Sequence, residues 1–152
     1  MRVIPSDMTK HVLVPLDGSD PSWTAFDHAL DQHAGDRISV LNVVDPAEGV
    51  YPGPEGGYYD GTVFDHAFER GETLCEQARD RLEERGEHAE TILETAVETG
   101  RPARTIIQYA EEHDVDHVVL GSHGRKGVSR VLLGSVAETV ARRAPVPVTI
   151  VR

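Results

Sequence analysis

Short apolar runs and helix-period stripes alternate along this chain from residue 11 to its end. The first run, "HVLVPL" at 11–16, reads as a strand. Beyond it Ser19 or Asp20 suits a helix cap and Pro21 a first turn. Trp23, Phe26 and Leu30 then share one face, with Ala29 beside them, and Gly35 ends the helix. A Val/Ile-rich run at 37–44 predicts the second strand. Residues 45–62 hold five glycines and three prolines in eighteen positions, which predicts a flexible loop insertion without a regular element. Tyr51, Tyr58 and Tyr59 either cover a ligand or stand exposed on this loop, and exposure is the expectation. A long helix follows over 63–86, with Phe64, Ala67, Phe68, Gly71, Leu74, Ala78 and Leu82 as its stripe and Gly86 as its stop. The third strand falls at about 91–97. Gly100 and Pro102 open a third helix that turns Ala103, Ile106, Ile107 and Ala110 inward. A fourth strand at 117–121, a fourth helix at 135–143 and a last strand at 146–151 complete the pattern.

Strands alternating with helices imply right-handed crossovers and a parallel sheet covered on both faces. The expected fold is α/β: a Rossmann-like three-layer α/β/α sandwich with a five-stranded parallel sheet in the order 3-2-1-4-5. The near-continuous apolar runs of strands one, two and four fit a sheet buried on both sides. Ligands of such sheets bind outside the carboxyl ends of the strands, where strand order reverses. Here that point lies between strands one and four, which lead into Asp17-Gly18-Ser19 and into Gly121–Ser135.

Length bounds the domain count. With 152 residues, a single domain over 8–152 is expected, with residues 1–7 as a flexible extension. No apolar run is long enough for a membrane helix and no signal-peptide core is seen, so a cytoplasmic location is expected. The single cysteine, Cys75, excludes an intrachain disulfide and reads as a small buried hydrophobe. Acids number 26 against 15 bases, for a formal net charge of −11. Only Lys10 and Lys126 are lysines, a balance that suggests either a salt-adapted (halophilic) protein or an ordinary acidic one. Neither nucleic acid nor an anionic membrane is an expected partner, because phosphate surfaces need clustered cations.

One stretch runs against this charge. "GSHGRKGVSRVLLGS", residues 121–135, has glycine at 121, 124, 127 and 134 and three cations, Arg125, Lys126 and Arg130, with no acid. Gly121 and Gly124 permit positive φ or close approach of the backbone to a ligand. Gly134-Ser135 stands at a helix start, where free N–H groups and the helix dipole attract anions. Read as composition alone, the stretch is equally a structural βα turn. Neither GxxxxGK[ST] nor GxGxxG is present. His113 with His117, and His28 with His33, do not read as metal pairs, and no Ser-His-Asp or Cys-His arrangement stands out.

The spacing Gly121-x2-Gly124-x9-Gly134-Ser135 resembles the nucleotide-binding motif of the universal stress protein family, G-x2-G-x9-G-[ST]. "VLVPLDGS" resembles the family's first strand and turn, and "PVPVTIV" its last strand. The resemblance spans about 8–152 and implies the adenine nucleotide alpha hydrolase-like fold. It implies ATP as ligand, with Mg²⁺ on the phosphates, and a homodimer paired through residues 146–151. It also implies site residues. Pro15 and Asp17 would line the adenosine side, the backbone of Val43 would meet the adenine edge, and Leu120 and Gly121 would pack near base and ribose. His123, Gly124 and Arg125 would contact ribose and phosphates, and Gly134, Ser135, Val136 and Ala137 would hold the phosphates. Ala137 departs from a hydroxyl residue often found there. Asp17 either serves the site, which is the expectation, or caps its own turn. His123 either donates to a phosphate or is a solvated loop histidine. The function expected is a regulatory ATP-binding module with no assigned catalytic residue; the alternative is a slow ATPase on the same fold. Apart from the resemblance, the last strand would be an apolar sheet edge, which invites pairing although Pro145 and Pro147 blunt it.

Overall fold

A computed structural model of the chain describes residues 9–51, 56–86, 90–123 and 133–152. The expected extension at 1–7 lies outside the described residues, as do Gly124, Arg125, Lys126 and Arg130. The main elements are β1 (His11–Pro15), α1 (Asp20–Gln32), β2 (Arg37–Val44), a pair of two-residue strands β3 (Val50–Tyr51) and β4 (Tyr58–Tyr59), α2 (Gly61–Arg85), β5 (Ile92–Thr99), α3 (Pro102–Glu112), β6 (His117–Gly121), α4 (Ser135–Arg143) and β7 (Val148–Val151). The five-stranded sheet has the order β5-β2-β1-β6-β7, and every pairing in it is parallel. With the short hairpin set aside, this is the expected 3-2-1-4-5.

The two faces of the sheet carry separate cores, because side chains alternate along each strand. On one face Val12, Val14, Ile38, Val40 and Val119 pack against Phe26, Ala29 and Leu30 of α1 and Ala78 of α2. On the other, Leu13, Leu41, Val118 and Leu120 pack against Ile106 and Ala110 of α3 and Ala137 and Val140 of α4. Cys75 is buried in α2, and burial pushes its thiol above the ordinary pKa. It is the small hydrophobe expected.

The 45–62 stretch differs from expectation in its elements. Residues Pro46–Gly49 form a 3₁₀ turn, and β3 pairs antiparallel with β4 through Val50↔Tyr59 and Tyr51↔Tyr58. Strands of two residues have no periodicity to read. The helix after it starts earlier than the apolar stripe suggests: Asp60 Oδ1 accepts from Thr62 N–H at 2.9 Å, capping α2 before its first apolar side chain. The last strand begins at Val148, two residues later than expected, just after Pro147.

Candidate functional site

The sheet opens between its two middle strands. β1 stays in register with β2 to Pro15↔Leu41, and β6 stays with β7 to Gly121↔Val151. Yet β1 and β6 pair only at Val12↔His117 and Leu13↔Val118. Their carboxyl ends therefore separate, and residues 16–19 after β1 and 122–123 after β6 flank the resulting crevice at the reversal of strand order.

The turn after β1 satisfies itself. Asp17 Oδ1 accepts from Ser19 N–H at 2.9 Å and from Ser19 Oγ–H at 2.6 Å. Gly18, at φ +88°, supplies the left-handed residue this turn needs. Ser19 then caps α1 by accepting from Ser22 N–H, and Ser22 Oγ–H donates back to the Ser19 carbonyl at 2.8 Å. So the turn-capping reading of Asp17 is realised, on the crevice side of the sheet.

The turn after β6 is built differently. Ser122 N–H donates to the Val151 carbonyl at 2.9 Å, and Gly134 N–H returns to the Ser122 carbonyl at 2.8 Å. This brings His123 against the start of α4: a Cβ on Gly134 would stand 3.1 Å from His123 Cα. His123 Nδ1 also lies 3.1 Å from Ser122 Oγ. Gly134 is the N-cap of α4 and, having no side chain, makes no side-chain cap to the first amides of the helix. The N–H groups of Ser135, Val136 and Ala137 stand ahead of the first helical hydrogen bond, from Glu138 N–H to the Gly134 carbonyl. Such an end attracts an anion through its amides and its dipole.

Gly121 needs correction. It does not adopt positive φ; its neighbour is Pro21 at the start of α1. A Cβ there would stand 2.7 Å from the Pro21 carbonyl carbon. Glycine at 121 lets β6 and α1 pack together, whatever it also allows a ligand.

The remaining predicted residues sort by which of their atoms face outward. Leu120 and Ala137 are buried in the α3/α4 core, and Val136 packs against it. They offer backbone rather than side chain. On β2, Leu41 gives its carbonyl to Leu16 and Val44 gives its carbonyl to Gly100, on opposite edges. Alternation therefore turns the peptide groups of Val43 towards the β1 side, past the end of β1. Pro15, Asp17, Val43, Leu120, Gly121, His123 and Gly134–Ala137 thus gather at one end of the sheet. Gly124 and Arg125, predicted with them, lie outside the described residues. A separate groove of about 490 Å³ runs between α2 and β5, lined by Phe68, Cys75, Ala96 and Val97 together with the polar Glu72, Glu76, Arg79 and Thr95, and no predicted site residue among the described residues lines it.

Sequence reasoning missed Asn42 and gave no reason for Gly71. Asn42 is only 7% exposed, and its Nδ2 donates to the Leu16 carbonyl at 2.9 Å. The available signals were a polar residue inside an apolar strand and a glycine inside a helix.

The comparisons agree with the fold. The family model described as the universal stress protein family matches residues 8–152. A universal stress protein of Methanocaldococcus jannaschii is 31% identical over 148 residues, covering 96% of this chain and 84% of that protein. Among solved structures, the universal stress protein UspA from Lactobacillus plantarum superposes with a TM-score of 0.77 at 28% identity, covering 94% of this chain and 97% of that one. A universal stress protein solved in complex with cAMP gives a TM-score of 0.69 at 26% identity, covering 94% and 97%. The chain belongs to the universal stress protein family.

Proposed function

We propose that this chain is a regulatory module that binds an adenine nucleotide in the crevice between β1 and β6. The observation that carries this reading is the glycine-capped N-terminus of α4, which opens at the point where the two strands part. The phosphates would lie on the amides of Ser135, Val136 and Ala137, with His123 beside them. The base would lie towards the peptide groups of Val43. The motif spacing from Gly121 to Ser135 supports the same assignment, with Gly124 and Arg125 as further contacts. The relative solved with cAMP supports an adenine ligand.

ATP is the nucleotide proposed, with Mg²⁺ accompanying it to offset phosphate charge. Holding rather than cutting is favoured by the state of Asp17. Its Oδ1 takes two hydrogen bonds from Ser19, so the carboxylate is engaged in its turn rather than set as a base. A homodimer through β7 is proposed as well, since that strand is an edge of the sheet. Calorimetric titration with ATP, ADP, AMP and cAMP tests the ligand. Tight ATP binding without turnover is expected; turnover with Mg-ATP that falls in Asp17→Ala would favour the hydrolase instead. Light scattering tests the dimer, and a mass near one chain overturns it.

A further inference from the structure

The β1–β2 ladder stops one rung early, and a side chain bonds the carbonyl that the next rung would use. Leu16 N–H donates to the Leu41 carbonyl at 2.9 Å. The next rung of a parallel ladder would take Val43 N–H onto the Leu16 carbonyl. β1 ends at Pro15, and that rung is not made. The Leu16 carbonyl accepts instead from Asn42 Nδ2 at 2.9 Å. Because a carbonyl only accepts, the amide nitrogen of Asn42 must be the atom facing it. Asn42 Oδ1 then sits against α2, where a Cβ on Gly71 would stand 2.4 Å away, and 3.2 Å from Val97 Cγ1. A glycine in mid-helix is unfavourable relative to alanine. Here it makes the room that Asn42 occupies.

We propose that Asn42, seated by Gly71, is a positioning residue for the ligand's base: it takes the Leu16 carbonyl and so leaves the Val43 peptide groups facing the crevice. A buried amide would be costly if its donor had no partner, and this one has found the acceptor that Val43 would otherwise use. The edge left open offers one donor and one acceptor, the pattern that a purine edge can match. This inference rests on the adenine-nucleotide reading.

The test has one arm without ligand and one with it. Amide exchange by NMR compares Val43 in the wild type and in Asn42→Leu, a variant of similar shape that lacks the donor. Val43 is expected to exchange freely in the wild type and about tenfold or more slower in the variant, once its N–H joins the ladder. Calorimetry then compares ATP with inorganic tripolyphosphate. Asn42→Leu should weaken ATP by about tenfold, the scale of one good hydrogen bond, and leave tripolyphosphate within about twofold. Should Asn42→Leu fail to fold, Gly71→Ala, which crowds Asn42 off its seat, is expected to shift both readouts the same way. Equal exchange of Val43 in wild type and variant overturns the proposal, and so does an equal loss of ATP and tripolyphosphate. A wild type that binds no ATP overturns the nucleotide reading, whereas the exchange comparison decides on its own whether Asn42 frees Val43.

Discussion

The two turns that flank the crevice solve the same problem in opposite ways. Both follow a middle strand, both lead into a helix, and they touch where Gly121 meets Pro21. In the first, Asp17, Ser19 and Ser22 satisfy one another and cap α1. In the second, the cap is a glycine, and the first amides of α4 receive no side-chain acceptor from it. A helix end that brings its own cap serves the fold. One that leaves its cap to be supplied is suited to a ligand.

The largest effect is expected where the two turns meet. Gly121→Val places side-chain carbon against the Pro21 backbone, and backbone yields poorly. A loss of about 3 kcal/mol is expected, at the upper end of overpacking costs, measured by urea unfolding. Next comes the open end. Ser135→Glu adds a negative charge to the first turn of α4 at an exposed position. It favours the helix dipole but opposes a bound phosphate, so ATP should bind about tenfold more weakly or worse while the melting temperature holds or rises. The capped end should behave the other way round: Ser19→Ala should cost about 1 kcal/mol of stability through its lost cap. Ser135→Ala, which removes no cap, should stay within about 0.5 kcal/mol in the same unfolding assay.

The smallest expected effect lies at the opposite end of the sheet. His11 Nδ1 must donate to the His113 carbonyl, at 2.9 Å, so Nε2 of the neutral ring accepts the one Ser39 Oγ–H proton at 2.7 Å, in preference to Glu94 Oε1 at 3.3 Å. Burial, then Arg37, lowers the His11 pKa from 6.5, against opposing pulls from the His113 carbonyl, Glu94 and Asp116. Burial, then His33, Lys10 and His28, lowers that of His117. A histidine whose folded pKa lies below its unfolded one takes up protons more readily when unfolded. Its contribution to stability is full above pH 6.5 and is lost as pH falls through the folded value. Unfolding measured at pH 7.5 and 5.5 should therefore show lower stability at 5.5. Replacing His11 with a neutral residue should reduce that difference.

Much of this molecule could be read from local pattern. The helix at 135–143 and the strands at 37–44 and 117–121 fall where apolar period, caps and prolines put them. Parallel pairing followed from the alternation of elements, whereas the expected strand order is borne out only by the pairings themselves. The short hairpin did not, because two-residue strands among glycines and prolines carry no period. At the site, the motif located the open helix end, since spacing along the chain is enough to define it. Asn42 and Gly71 needed the fold: they are far apart in sequence and meet only when α2 crosses β2. Gly121 shows the same limit. Its identity was legible, but its reason, the backbone of Pro21, comes from a distant turn.

Calorimetric titration of ATP into the wild type and into Ser135→Glu decides whether the open end of α4 holds the phosphates. Binding by the wild type is expected, with a loss of about tenfold or more in the variant and its fold intact by thermal melting. Equal affinity in the two proteins, or no binding by the wild type, would contradict it.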